Sequence, residues 1–264
     1  MQGTSASPQR LNAAQRSAHI RQVVLAKGVE LRQRYPVLNH QDALGAGILA
    51  FALAGMIGSA ALYIEGHMAW WVCLLLNAFF ASLTHELEHD LIHSMYFRKQ
   101  RLPHNLMMGL VWLARPSTIN PWIRRHLHLN HHKVSGTETD MEERAITNGE
   151  PWGFARLLMI GDNMMSSFIR MLRARTWAQK FSIIHRTLKV YAPLALMHWG
   201  AWYVFLGFHA ANGIAYLMGT PIEWSATTLS VMNVIDIAAV VIIGPNVLRT
   251  FCPPFISSNM HYYG

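Results

Sequence analysis

Charged side chains are scarce. They make up 14% of the 264 residues, where a soluble domain carries roughly 25%. Hydrophobic residues reach 52%, and mean hydropathy is +0.18. That balance excludes disorder and an ordinary water-soluble globule, and favours a chain that crosses a membrane several times. Cysteine is nearly absent. Cys73 and Cys252 cannot build a disulfide framework and form no CxxC pair. No apolar segment follows the first basic residues, so no cleavable signal peptide is expected. There is no internal repeat and no low-complexity tract. Acidic residues are few, 14 against 22 Lys and Arg, which gives a net charge of +8. Histidine is the exception to this poverty, with 15 residues.

The apolar residues are gathered into runs. Arg21 to Arg34 reads as a short amphipathic helix with Val24, Leu25 and Leu31 on one side, stopped by Pro36. Ala43 to Ile64 carries no charge until Glu65. At ~1.5 Å per residue it covers about 33 Å, enough for a hydrocarbon core of ~30 Å. Ala69 to Thr84 is shorter and completes a span only if its helix continues into the polar segment His85 to His93. Leu106 to Ala114 is too short to span and is expected at the interface or packed on a cap. Two further runs, Tyr191 to Phe208 and Ala226 to Leu248, form a second hairpin with Pro221 in its turn.

The basic residues fall in segments 1–42 and 94–190 and at Arg249, and the two short turns have none. By the positive-inside rule the N-terminus, the central segment and the C-terminus are all expected on the cytosolic side of a multi-pass protein, in a bacterial inner membrane or the endoplasmic reticulum. Topology and anionic head groups then account for the charge, and no nucleic-acid partner is expected. The fold class is an all-α membrane protein, with four transmembrane helices as two hairpins and a cytosolic helical cap.

The histidines cluster twice. His85, His89 and His93 stand at i, i+4 and i+8, on one slowly drifting helix face. Glu86, Glu88 and Asp90 lie between them. Such carboxylates orient imidazole rings or ligate directly. His128, His131 and His132 stand at i, i+3 and i+4, also on one face. His126 is two residues from His128 and points elsewhere, as a cap or redox-path residue. Alone, the first cluster also spells HExxH, the zinc-protease pattern, at His85, Glu86 and His89. The bland readings are a solvated helix end for the first cluster and a basic head-group-binding loop for the second, with Arg124, Arg125 and Lys133 alongside.

Taken together, the HxxxH box at His85 and His89 and the HxxHH box at His128, His131 and His132 resemble the membrane fatty acid desaturase/hydroxylase family. The resemblance extends to the four-span topology and to the first box following the second span. On it the chain is one desaturase-like domain over 1–264. Its parts are an N-terminal segment (1–42), a first hairpin with box one (43–93), a cap with box two (94–190), a second hairpin (191–248) and a C-terminal cap (249–264).

What the resemblance implies is a site of two irons held by histidines. It would reduce O2 with electrons from a ferredoxin or cytochrome b5-type partner and remove hydrogen from an unactivated C–H bond of a lipid or acyl thioester. Imidazole suits iron, and no acid–base side chain could do this chemistry. The implied ligands are His85, His89, His93, His128, His131, His132 and His261. Glu86, Asp90, Asn259 and His126 are the candidates to orient them. Trp112 and Asp236 are candidate substrate-tunnel residues, although the favoured readings are belt or core packing for Trp112 and a helix-pairing polar contact for Asp236. The family's third box, HxxHH after the fourth span, does not occur before Gly264, so the chain reads as truncated in its C-terminal cap. The reading is O2-dependent acyl-chain desaturation; its alternatives are an acyl or alkyl hydroxylase on the same scaffold and an inactive truncated member. An intramembrane zinc protease and a non-catalytic membrane protein stay open from other classes. The acidic run Thr137 to Asp140, with Glu142 and Glu143, reads as a solvated loop or a set of arginine partners.

Overall fold

The computed structural model describes residues 12–135, 137, 139–142 and 150–249. Among these, every regular element is helical. The chain divides into two compact units, residues 1–44 and 45–264. In the first, α1 (Ala13–Arg34) opens on an Asn12 capping box with Gln15. It is longer than the amphipathic segment expected, and it buries no residue. Pro36 follows in a short 3-10 turn, Pro36–Asn39.

The apolar runs become helices. They are α2 (Gln41–Ile64), α3 (Trp70–Ile92), α9 (Leu194–Leu217) and α10 (Ala226–Arg249). Two of them, α2 and α10, are long and apolar enough by composition to cross a membrane. α3 does continue without a break from its apolar start into the histidine segment. This places His85, His89 and His93 one turn apart near its C-terminal end. Between α3 and α9 lie α4 (Arg101–Ala114), α5 (Pro121–Val134), α6 (Phe154–Gly161), α7 (Asn163–Arg173) and α8 (Trp177–Tyr191). Caps set the starts of several of these. Asn120 accepts from Trp122 N and Ile123 N ahead of Pro121, Asp162 caps α7, and Thr176 forms a capping box with Gln179.

The core that carries the histidines is built by α2, α3 and α4. Leu49, Leu87, Leu91, Ile92, Tyr96, Met107, Met108 and Val111 form one buried cluster. Met107, Met108 and Val111 thus pack against α2 and α3 of the first hairpin rather than on the cap, while Leu106, Leu110 and Leu113 of the same piece stay exposed. The chain then turns sharply, with Ser94 and Phe97 at φ of 56° and 49°. Left-handed backbone at a non-glycine residue costs about 1–3 kcal/mol and persists where its surroundings fix it. Here Tyr96 donates to Asp90 (2.7 Å), and Arg125 donates to Ser94 Oγ (2.7 Å).

Gly45 lets α2 approach this turn. A Cβ at that position would lie 2.6 Å from the Tyr96 ring. Tyr96 is 8% exposed and tied to Asp90, so the ring has nowhere to go. We expect Gly45→Val to destabilise the protein by about 1–3 kcal/mol, the usual range for overpacking. Thermal unfolding in detergent checks this, and an unchanged midpoint would contradict it.

α10 holds a feature that periodicity does not show: a π-turn at Ala239–Ile243. Asn77 of α3 donates to the Val241 carbonyl (2.7 Å), and Ser59 of α2 donates to Asn77 Oδ1 (2.5 Å). A widened turn leaves backbone groups without their usual partners. In an apolar surrounding such a group needs a replacement, and the Asn77 amide supplies it.

A candidate metal centre

Four histidines from two helices meet. His89 and His93 come from α3, and His128 and His132 from α5, each pair at i, i+4. One ligating atom of each lies within 4.8 Å of the others. The Nε2 atoms of His93, His128 and His132 form a tight triangle, with sides of 3.1, 3.2 and 3.1 Å. The His89 ring stands edge-on to those of His93 and His128, with centroids at 4.8 and 4.9 Å.

The triangle has a chemical meaning. His128 Nδ1 lies 2.9 Å from Glu142 Oε2. A carboxylate only accepts, so the ring proton sits on Nδ1 and the Nε2 lone pair faces the other two rings. An ion bound at ~2.0–2.1 Å, the usual zinc–imidazole distance, would see these nitrogen pairs at roughly 100°, between octahedral and tetrahedral angles. The donor set therefore fits a metal ion. Its all-nitrogen character suits iron among other first-row metals. Burial also lowers the pKa of His93, and neighbouring His89 and His132 would repel a charge there. Burial likewise lowers that of His128, partly opposed by Glu142. Both effects favour the neutral imidazole, which is the ligating form.

The other sequence candidates fall in different places. His131 stands beside the group, with Nδ1 2.6 Å from Asp140, a carboxylate that is fully buried. His85 is turned to Arg115, whose Nη1 lies 2.8 Å from its Nδ1. Arginine only donates, so in this arrangement the His85 proton sits on Nε2. Glu86 and His126 are exposed. Asp90 is occupied by Tyr96, and its other oxygen is 3.9 Å from His89 Nδ1. Trp112 packs edge-on to Trp122. Asp236 pairs with His209 (2.8 Å), roughly 20 Å along α10 from Arg249 at ~1.5 Å per residue. His261, Asn259 and Glu143 lie outside the described residues.

Glu142, Asp140 and Glu88 have parts that the sequence reading did not give them. The run after box two is not a solvated loop at Asp140 and Glu142: both reach back to box two, and Glu142 also approaches Arg124, the arginine partner that was the other expectation for this run. Their spacing offered a signal: each lies within fifteen positions of its histidine, downstream of the same helix. Glu88 is 1% exposed and holds two arginines, Arg115 in direct contact and Arg124 at 3.2 Å. Arg124 also approaches Glu142 (3.8 Å), which links this buried ion network to the His128 carboxylate. Outer partners of metal-bound histidine are each worth about 10–100-fold in metal affinity. We expect Glu142→Ala to weaken metal binding within that range while the far-UV circular dichroism stays unchanged. A metal titration against a chelator measures this, and wild-type affinity in the variant would refute it.

No curated protein and no solved structure matches this chain. A family model, described as fatty acid desaturase, matches residues 65–239. The match runs from the turn before α3 through both histidine boxes and into the π-turn of α10. It covers most of the chain and all four converging histidines, and the chain belongs to the fatty acid desaturase family.

Proposed function

We propose that this protein is an O2-dependent oxidoreductase that desaturates a fatty acyl chain at iron held by His89, His93, His128 and His132. The observation that carries the proposal is the Nε2 triangle of 3.1–3.2 Å sides, drawn from both boxes, inside the matched family region. Iron, when bound, supplies the O2 reduction and hydrogen abstraction that no side chain can perform. The chain's own residues do the rest. The α3 and α5 backbones fix the four rings. Glu142 holds the His128 proton on Nδ1, and Asp140 does so for His131. For the family's second iron we assign His131, His85 and His261; His85 joins only when its ring releases Arg115.

The setting is an integral membrane protein whose α2, α3, α9 and α10 span the bilayer, with the histidine face cytosolic. The acyl chain enters between these helices from the bilayer. The electron donor is an acidic ferredoxin or cytochrome b5-type protein. Exposed Arg98, Lys99, Arg101, Arg175, Arg186 and Lys189 would receive it through charge complementarity. The zinc-protease pattern gains no support from the site, because His85 faces Arg115 and Glu86 is exposed.

The test is iron content of the purified chain, followed by turnover of labelled acyl lipids and acyl thioesters with O2 and a reduced donor. Products are read by mass spectrometry. Iron binding with loss of two hydrogens supports desaturation, and gain of one oxygen assigns hydroxylation instead. A protein that takes up no iron and forms neither product is not this enzyme.

A further inference from the structure

Polar side chains of the apolar helices are handled in two ways. Ser59 of α2 and Asn77 of α3 are 5% and 0% exposed and bonded to each other. His209 of α9 and Asp236 of α10 lie on the outside. Nε2 of the one is 2.8 Å from Oδ1 of the other, yet the two side chains stay 46% and 42% exposed. Phe205 and Phe208 flank the imidazole, with ring centroids at 4.6 and 5.4 Å, and restrict its movement. Asn233, one turn before Asp236 on α10, is exposed as well. Leu229, one turn further back, is 51% exposed. At ~1.5 Å per residue Asp236 stands about 15 Å from the start of α10 at Ala226, and His209 about 12 Å from the end of α9 at Leu217. Within a hydrocarbon core of ~30 Å, both are near its middle.

Lipid offers such groups no hydrogen bonds. Ionisable side chains at that depth face protein or a water-filled cavity. We infer that a second copy of this chain covers this face, with α9 and α10 of one protomer against α9 and α10 of its partner. Two copies in one membrane share its orientation, so a two-fold axis along the membrane normal sets identical residues at identical depth. The face must therefore pair with itself residue by residue, and its side chains can. A carboxamide both donates and accepts, so two Asn233 side chains satisfy each other across the axis. A single buried Asn fixes register between coiled-coil helices in the same manner. Asp236 arrives already paired with its own His209, so two bare carboxylates never meet. Leu229, on the same side of α10, adds apolar contact. The proposal rests on the membrane placement of α9 and α10 proposed above.

The experiment uses the full chain in bacterial membranes, with Cys73→Ala and Cys252→Ala as background and Asn233→Cys added. Mild oxidation should join two copies in a disulfide dimer of twice the chain mass. Val231→Cys, 53% exposed on the other side of α10, should stay monomeric. In the chain with its own cysteines, Asn233→Leu should weaken self-association by about 3–20-fold, the worth of one intramembrane polar contact. Förster transfer between labelled copies, followed as the vesicle lipid is diluted, measures this. Unchanged self-association of Asn233→Leu overturns the proposal. So does equal crosslinking at Val231→Cys, or a crosslink from Asn233→Cys to a different protein alone. A membrane-impermeant maleimide separates the two ways in which crosslinking can fail. An Asn233→Cys chain that neither crosslinks nor reacts keeps α10 in the bilayer and overturns the second copy. One that reacts from water overturns the proposal together with the membrane placement of this face. Iron binding and acyl turnover are read separately, and a monomeric chain leaves both untouched.

Discussion

Replacing His128 with alanine should strip the protein of its metal. His128 is 7% exposed and contributes one corner of the Nε2 triangle, and its Nδ1 is fixed by Glu142. No described side chain stands ready to take its place. The loss should exceed the ~10–100-fold that removal of an outer partner costs. Iron per chain, measured by plasma mass spectrometry after reconstitution and desalting, should fall to background. His126→Ala is the matched control. His126 lies two residues away on the same helix but is exposed, and its removal should leave the iron content unchanged. A His128→Ala protein that holds wild-type iron would remove the centre from the place given to it here.

Glu88→Ala should be the most destabilising single change in the described part of the chain. Glu88 and Arg115 are 1% and 0% exposed, and Arg124 shares the same carboxylate. Removing one partner of a buried ion pair leaves the other charge uncompensated, at about 3–5 kcal/mol. Here two guanidinium groups lose their partner together. The expected fall in the thermal midpoint is roughly 10 °C. The double variant Glu88→Leu, Arg115→Met replaces the pair with apolar groups of similar reach. It should recover much of the loss, because well-packed apolar residues often match a buried pair. If Glu88→Ala unfolds at the wild-type temperature, the ion network has no structural part. If the double variant is no better than the single one, Arg115 has a further role through His85, whose ring it holds.

These two predictions draw on unequal amounts of sequence information. The i, i+4 spacing of His89 and His93, and of His128 and His132, is visible without coordinates, because 3.6 residues per turn sets it. That the two pairs meet is not visible, since it depends on α5 folding back across α3. Glu88 looks like any acidic residue between histidines. Its burial follows from its position on the face of α3 that turns toward Arg115 and Arg124, a matter of helix rotation and crossing. His85 and His89 are equally spaced members of one box, yet only His89 turns toward the centre. Arg115, thirty residues away, makes the difference. The acidic residues after box two are similar. Asp140 and Glu142 become partners of His131 and His128 only because the chain returns over α5.

Composition and periodicity by themselves determined the helical class, the apolar segments and the candidate histidines, because helix length and repeat are local properties of the backbone. The break at Pro36, the continuation of α3 through His85 and the short Leu106–Ala114 piece followed in the same way. Only the tertiary structure decided which histidines come together, which carboxylates fix their protons and which arginines share Glu88. It also placed the π-turn at Ala239–Ile243, where the Val241 carbonyl accepts from Asn77 of another helix. The physical reason is the same throughout. Hydrophobic pattern and spacing act over one or two turns, whereas these contacts join different parts of the chain, 9 and 14 residues apart for His131–Asp140 and His128–Glu142, and 35 and 30 for His93–His128 and His85–Arg115.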